Sequence, residues 1–187
     1  MRLFLAINPP DDVRRAIIDG TASLREVAPE VRWVDEARLH LTLKFLGEQP
    51  EDATPRLCEA MDGVTRRHRA FAMQVADVGA FPNFRRARVV WMGIRHEPRL
   101  ELLHHDVEVA CEKLGFEVEG RSFRPHLTLA RVRDDVPEGT LRALARSAKR
   151  VTFTATAPVD RVDLMRSNPG RDGARYECLH AAHLRAD

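Results

Sequence analysis

The tetrapeptide His40-Leu41-Thr42-Leu43 recurs letter for letter as His126-Leu127-Thr128-Leu129 in the second half of the chain. Each copy sits in a run of alternating polar and apolar residues, the two-residue period of a strand with one buried face. His and Thr then share one face of each strand, while the two leucines point into a core on the other. One amphipathic strand of this kind says little. Two identical ones, at matching points of two similar halves, predict a molecule with an approximate two-fold axis, in which two His-Thr dyads face each other across a groove.

The rest of the chain fits this plan. The hydrophobic pattern predicts a strand over Arg2 to Asn8, a helix from Pro9-Pro10-Asp11 to about Val27, a short extended piece at Val31 to Val34, and a strand over Leu39 to Leu46 ended by Gly47. A helix over about Glu51 to His68, strands at Phe71 to Val78 and Arg88 to Arg95, and a helix from Pro98 to Leu114 follow. The second motif begins a strand near His126 to Val132. After it come a helix at Glu138 to Ala148 and strands at Val151 to Thr156, Val159 to Arg166 and Arg175 to His180. Helices mixed with hairpin-like strands argue for an α+β class rather than a parallel βαβ array. The Pro- and Gly-containing patches read as turns, so residues 1–187 are expected to form one domain.

Two imidazoles and two hydroxyls facing each other suit chemistry at phosphorus. Hydrolysis of a cyclic phosphodiester needs one group to take a proton from the attacking water and another to protonate the departing ribose oxygen, on opposite sides of phosphorus. Histidine, with an unperturbed pKa of about 6.5, serves in either role near neutrality. The hydroxyls of Thr42 and Thr128 can donate to the non-bridging phosphate oxygens. This scheme calls for neither metal nor cofactor, and the catalytic pair is His40 and His126.

Composition narrows the alternatives. Without GxGxxG or GxxxxGK[ST], nothing invokes a dinucleotide or a P-loop nucleotide. No run approaches the roughly 18 apolar residues of a membrane span, and MRLFLAINPP lacks the apolar stretch of a signal peptide, which gives the expectation of a cytoplasmic protein. Cys58, Cys111 and Cys178 are odd in number and far apart, the pattern of a reduced compartment without disulfides or zinc knuckles. The net charge is only +2, so any cationic site is local. Arginine outnumbers lysine 27 to three, but the arginines scatter along the whole chain, as a GC-rich genome would leave them.

At the level of motifs, the sequence resembles the two-histidine (2H) phosphoesterase superfamily, defined by paired HxTx motifs, and within it the RNA 2′,3′-cyclic phosphodiesterases of the 2′-5′ RNA ligase-like family. The resemblance runs through MRLFLAI, Val31-Arg32-Trp33-Val34, LHLTLKFLGE, RARVVWMGI, FRPHLTLAR and the tail LMRSNPGRDGARYECL with Ser167, Gly173 and Tyr176. It implies a bilobal α+β fold with pseudo-symmetric, antiparallel-rich lobes around a central cleft, a monomer, no cofactor, and opening of 2′,3′-cyclic phosphate RNA ends, or of a cyclic nucleotide, to 2′-phosphates. It also implies His40 as proton donor and His126 as acceptor, a role in phosphate binding for Arg131, and the reverse, 2′-5′ joining of RNA ends. The residues themselves leave the choice of donor and acceptor open.

Strict alternation places Lys44 on the His40 face and Arg131 on the leucine face, unless the second strand ends or bulges before Arg131. Phe45 and Trp91 read as core residues, whereas Phe81 and Phe84 fall in a loop with Arg85 and Arg86 that could touch RNA. Arg124 is a further cation beside the second motif. His104-His105-Asp106 and His180-x-x-His183 lack the extra ligands of a metal site, and His68 and His96 read as surface residues. Two other functions compete: a cleft that holds a nucleotide or RNA end without turnover, and general RNA binding. Both histidines and both threonines are present, which favours turnover over the first; the small net charge weakens the second.

Overall fold

The computed structural model describes residues 1–170 and 173–186; Arg171 and Asp172 of the tail motif lie outside the described residues. The strands are β1 (Arg2–Ile7), β2 (Arg32–Trp33), β3 (Leu41–Glu48), β4 (Phe71–Phe81), β5 (Val89–Ile94), β6 (His126–Arg131), β7 (Thr154–Val159), β8 (Arg161–Asn168) and β9 (Arg175–His183). The helices are α1 (Asp11–Gly20), α2 (Ala22–Val27), α3 (Thr54–Thr65), α4 (Pro98–Lys113) and α5 (Glu138–Ala148). The expected mixture of helices with antiparallel sheet is what forms.

The strands join in the order β7-β4-β5-β6-β3-β1-β8-β9, with β2 added beside β6. All of these ladders are antiparallel. The two motif strands lie at the centre and meet at one rung, Leu41 opposite Leu127. These are equivalent positions of the repeat, so the approximate two-fold axis passes between them. β3 pairs with β6 at this rung alone, and past it β2 flanks β6 where the residues just before β3 would otherwise run: Trp33 pairs with Ala130, Arg32 with Arg131, and the Val34 amide donates to the Leu129 carbonyl at 2.8 Å.

The lobes are interleaved. Helices α3 and α4 pack against β8, β9 and β3, whereas α1 packs against β7, α5 against β4, and α2 against α5. The chain thus lays β1 in one lobe and sends the next two helices to the other. Leu41, Leu43, Leu127 and Leu129 all enter one core that runs from Leu3 to Leu184, each contributing roughly 1.5–3 kcal/mol by burial. The central strand β1 is buried on both faces: Leu3, Leu5 and Ile7 face this core, and Phe4 and Ala6 form a small second cluster with Met165 on the opposite face.

Local departures from the expected boundaries have visible causes. The predicted helix to Val27 breaks at Thr21. A Cβ on Gly20 would fall 2.3 Å from the Phe153 ring, so only glycine permits this approach. The Thr21 hydroxyl caps the break by donating to the Ile17 carbonyl at 2.7 Å. Strand β4 runs on to Phe81 because Asp77, at φ 64°, makes a bulge there and pairing with β5 then resumes. The strands predicted from Val151 and Val159 start later, at Thr154 and Arg161.

Candidate active site

Each histidine is held by the backbone just before it. His40 Nδ1 lies 2.8 Å from the Arg38 carbonyl, in the turn Glu36–Arg38, and His126 Nδ1 lies 2.7 Å from the Arg124 carbonyl. A carbonyl only accepts, so Nδ1 carries the hydrogen in both neutral rings and the lone pair of each ring is on Nε2. The Thr42 hydroxyl lies 3.1 Å from His40 Nε2. Since Leu41 faces Leu127 with both leucines fully buried, His40, Thr42, His126 and Thr128 share the opposite, half-buried face.

Aromatic rings wall each imidazole. Phe4 and Tyr176 lie 5.1 and 5.2 Å from the His40 ring, Tyr176 edge-on. Phe81 is edge-on to His126 at 5.0 Å, with Trp91 at 6.4 Å. Trp91 covers Gly79, where a Cβ would come within 2.2 Å of its ring. Phe81 is therefore the end of a strand and a wall of the site, not a loop residue, and Trp91 is only half-buried. Burial pushes the His40 imidazole below its ordinary pKa; the bond to the Arg38 carbonyl opposes this, and Arg14, His126 and Arg131 add to the fall. His126 and Arg131 thus lie within electrostatic reach of His40.

Neither cation lies on the face that strict alternation assigns to it, for one reason. In each motif strand the register slips just after the second leucine: between Thr42 and Lys44 against β1, and between Thr128 and Ala130 against β5. Two consecutive residues are then buried, Leu43 with Lys44 and Leu129 with Ala130, and the next one emerges. Lys44 consequently leaves the histidine face. It is 7% exposed, and its Nζ donates to both oxygens of Glu108 on α4, at 2.9 and 2.8 Å, and to the Glu117 carbonyl at 2.8 Å. Arg131 swings to the open side instead. Phe45, expected in the core, is 67% exposed and lies 6.3 Å from Phe4. Sequence reasoning missed it, although aligning the two repeats would have set Phe45 against Arg131.

Four of the other six histidines are engaged elsewhere. His68 is buried, not superficial, and lies 2.8 Å from Asp106. His104 stacks on Phe123 at 3.7 Å, His180 lies 2.8 Å from Asp62, and His96 is exposed beside Glu101. Among the described residues, no three His, Cys, Asp or Glu side chains gather as a metal site would require. No helix among them is long and apolar enough to cross a membrane. Arg124 serves the site through its backbone carbonyl.

A mixed helix and antiparallel-sheet fold with a paired HxTx motif on its central strands is that of the 2H phosphoesterases. Residues 9–171 match the 2′-5′ RNA ligase superfamily, and the chain belongs to that family. The RNA 2′,3′-cyclic phosphodiesterase of Thermus thermophilus is 31% identical over the whole of this chain and 92% of its own length. That of Geobacillus stearothermophilus is 35% identical over 68% of this chain, a stretch that spans only 41% of the Geobacillus protein. The crystal structure of Escherichia coli LigT complexed with 3′-AMP superposes with a TM-score of 0.75 at 30% identity, covering 98% of this chain and 97% of LigT.

Proposed function

We propose that this protein is an RNA 2′,3′-cyclic phosphodiesterase that opens 2′,3′-cyclic phosphate ends to 2′-phosphates, with His40 and His126 as its acid and base. The observation that carries the reading is the matched pair of Nδ1-to-carbonyl bonds, which puts both Nε2 lone pairs on one face beside the Leu41–Leu127 rung, that of His40 next to the Thr42 hydroxyl. The relatives named for this activity, and a related structure holding a nucleotide with a ribose phosphate, support it.

In this mechanism His126 Nε2 takes a proton from water as the water oxygen bonds to phosphorus. The P–O3′ bond breaks, and His40 Nε2–H protonates O3′. Thr42, Thr128 and Arg131 stabilise the non-bridging oxygens, while Phe45 offers its exposed ring to the terminal base. Lys44, committed to Glu108, has no part in substrate binding. Burial favours neutral His40 in the free protein, so the donor role requires the entering phosphodiester anion to restore its proton. With a 5′-terminal ribose hydroxyl in place of water, the same groups would join RNA ends: the 5′ oxygen bonds to phosphorus, P–O3′ breaks, and a 2′-5′ linkage is left.

Both histidines come from one chain, so the site is complete in a monomer. The test is incubation of wild type, His40→Ala and His126→Ala in EDTA with an oligoribonucleotide ending in 2′,3′-cyclic phosphate. A 2′-phosphate product, formed at least about a hundredfold more slowly by each variant, is expected. Binding without turnover by wild type would make the cleft a nucleotide-binding module instead.

A further inference from the structure

Behind His40 lies a chain of polar groups that the acid-base scheme does not use. Asp163 on β8 is 1% exposed, and the Arg161 Nε lies 3.1 Å from one of its oxygens. The Asn8 amide donates to its other oxygen at 2.6 Å. The Asn8 carbonyl oxygen in turn accepts from Arg14 Nη2 at 3.1 Å, and Arg14 Nη1 donates to the Ala37 carbonyl at 3.0 Å. Arg14 stands in the first turn of α1, where its own Nε is buried without a protein partner. A buried carboxylate and a cation thus brace one point, the peptide joining Ala37 to Arg38. The next carbonyl along, that of Arg38, is the one that holds His40 Nδ1.

We propose that Arg14 is a positioning residue for His40: pinned by Asn8, its guanidinium fixes the Ala37–Arg38 turn, and through that turn the tautomer and direction of the imidazole. The inference rests on the reading of His40 as an acid-base group. A planar fork with two directed donors suits the task; an ammonium would supply charge without the fork. Outer groups of this kind set a histidine's ring orientation much as second partners do at metal sites. The counterpart at His126 differs: the Arg124 carbonyl lies in the stretch between α4 and β6, which is tied down by Lys44 to Glu117 and by the Glu119 amide to Glu108.

Arg14 also acts on the ring by charge. The charged and titratable groups that act on His40 are Arg14 from α1 and His126 and Arg131 from β6, with the Tyr176 ring on β9 and the uncharged Phe4 on β1 packed against it. Arg14 is the foremost of the charges that disfavour imidazolium. Its removal should therefore raise the His40 pKa as well as loosen the ring.

The experiment compares wild type, Arg14→Met and Arg14→Lys by nitrogen-detected NMR of the His40 ring across pH, by thermal melting, and by kcat and KM on the cyclic-phosphate oligonucleotide. Arg14→Met is expected to populate both His40 tautomers, move its pKa upward, and lose kcat at least about tenfold with KM changed less than about twofold. Arg14→Lys should return the pKa toward wild type but recover little kcat. Should Arg14→Met not fold, the Arg14→Lys pattern alone decides. Unchanged ring signals in a folded variant, or a rise confined to KM, would overturn the proposal. Altered ring signals in a protein whose wild type has no turnover would leave the positioning role standing and sink the phosphodiesterase reading instead.

Discussion

Phe45 and Arg131 occupy the same position in the two copies of the motif, and the same bulge turns each of them outward, an aromatic ring on one side of the axis and a guanidinium on the other. A cleft built from two copies of one strand would otherwise accept a substrate in either of two orientations. Under the proposed function this pair would give it a base side and a phosphate side.

Phe45→Ala should therefore weaken substrate binding with little effect on the chemical step. Loss of one stacked base costs about 1–3 kcal/mol, which corresponds to a KM rise of about five- to 150-fold in steady-state kinetics with kcat nearly constant. Arg131→Ala should instead lower kcat/KM by about a hundredfold or more, with a fall in kcat, because the charge it offsets grows in the transition state. If both variants changed KM alone, the division of labour would not hold.

The direction of the His40 pKa separates donor from acceptor. The profile of kcat/KM against pH reports the free protein. If His40 must be protonated to act, kcat/KM falls as pH rises through a value below about 6.5; if it must be neutral, kcat/KM falls as pH drops through the same value. A substrate with sulfur at the 3′ bridging position gives an independent answer, since a thiolate leaves without a proton: it should rescue whichever histidine variant lacks the acid.

Stability should follow the same group. A histidine that resists protonation when folded lets the unfolded chain bind the proton first, so its contribution declines as pH falls from about 6.5 toward the folded value. Urea melts of wild type and His40→Gln between pH 5 and 8 should converge in their pH dependence except for this component.

The Lys44–Glu108 pair predicts a non-additive cycle. Lys44→Met or Glu108→Leu alone leaves one buried charge and should cost about 3–5 kcal/mol, whereas the double variant should cost far less. Activity of the double variant is a separate readout, because Lys44 and Glu108 both hold the segment that leads to the Arg124 carbonyl.

Cys111 is fully buried and its thiol is pushed up to about 11 by desolvation. At pH 8 it should react with a thiol reagent only on unfolding, and the exposed Cys178 should be labelled first. Labelling of Cys111 in the native protein at the rate of Cys178 would contradict the packing of α4.

The motif strands, the helices and the face shared by His40, Thr42, His126 and Thr128 could be read from the chain, because period and face are properties of a strand by itself. The two bulges could not. They arise where β3 meets β1 and β6 meets β5, so they depend on partners distant in sequence, and one slipped residue reverses every side chain beyond it. That reversal is why Lys44 and Phe45 exchanged their expected places and why Arg131 came to the open side. Phe81 and the buried Glu108 partner of Lys44 were hidden for the same reason: pairing with β5 and packing of α4 decide them, not local pattern.

The insertion of β2 beside β6, where the residues leading into β3 would otherwise run, has a mechanical consequence. Val34, Trp33 and Arg32 act as a wedge that keeps the two motif strands from zipping beyond Leu41 and Leu127. Under the proposed function, the distance between the two imidazoles is then a spacing imposed by backbone inserted from elsewhere in the chain, a property of strand order, and a residue that never meets substrate can lengthen or shorten it.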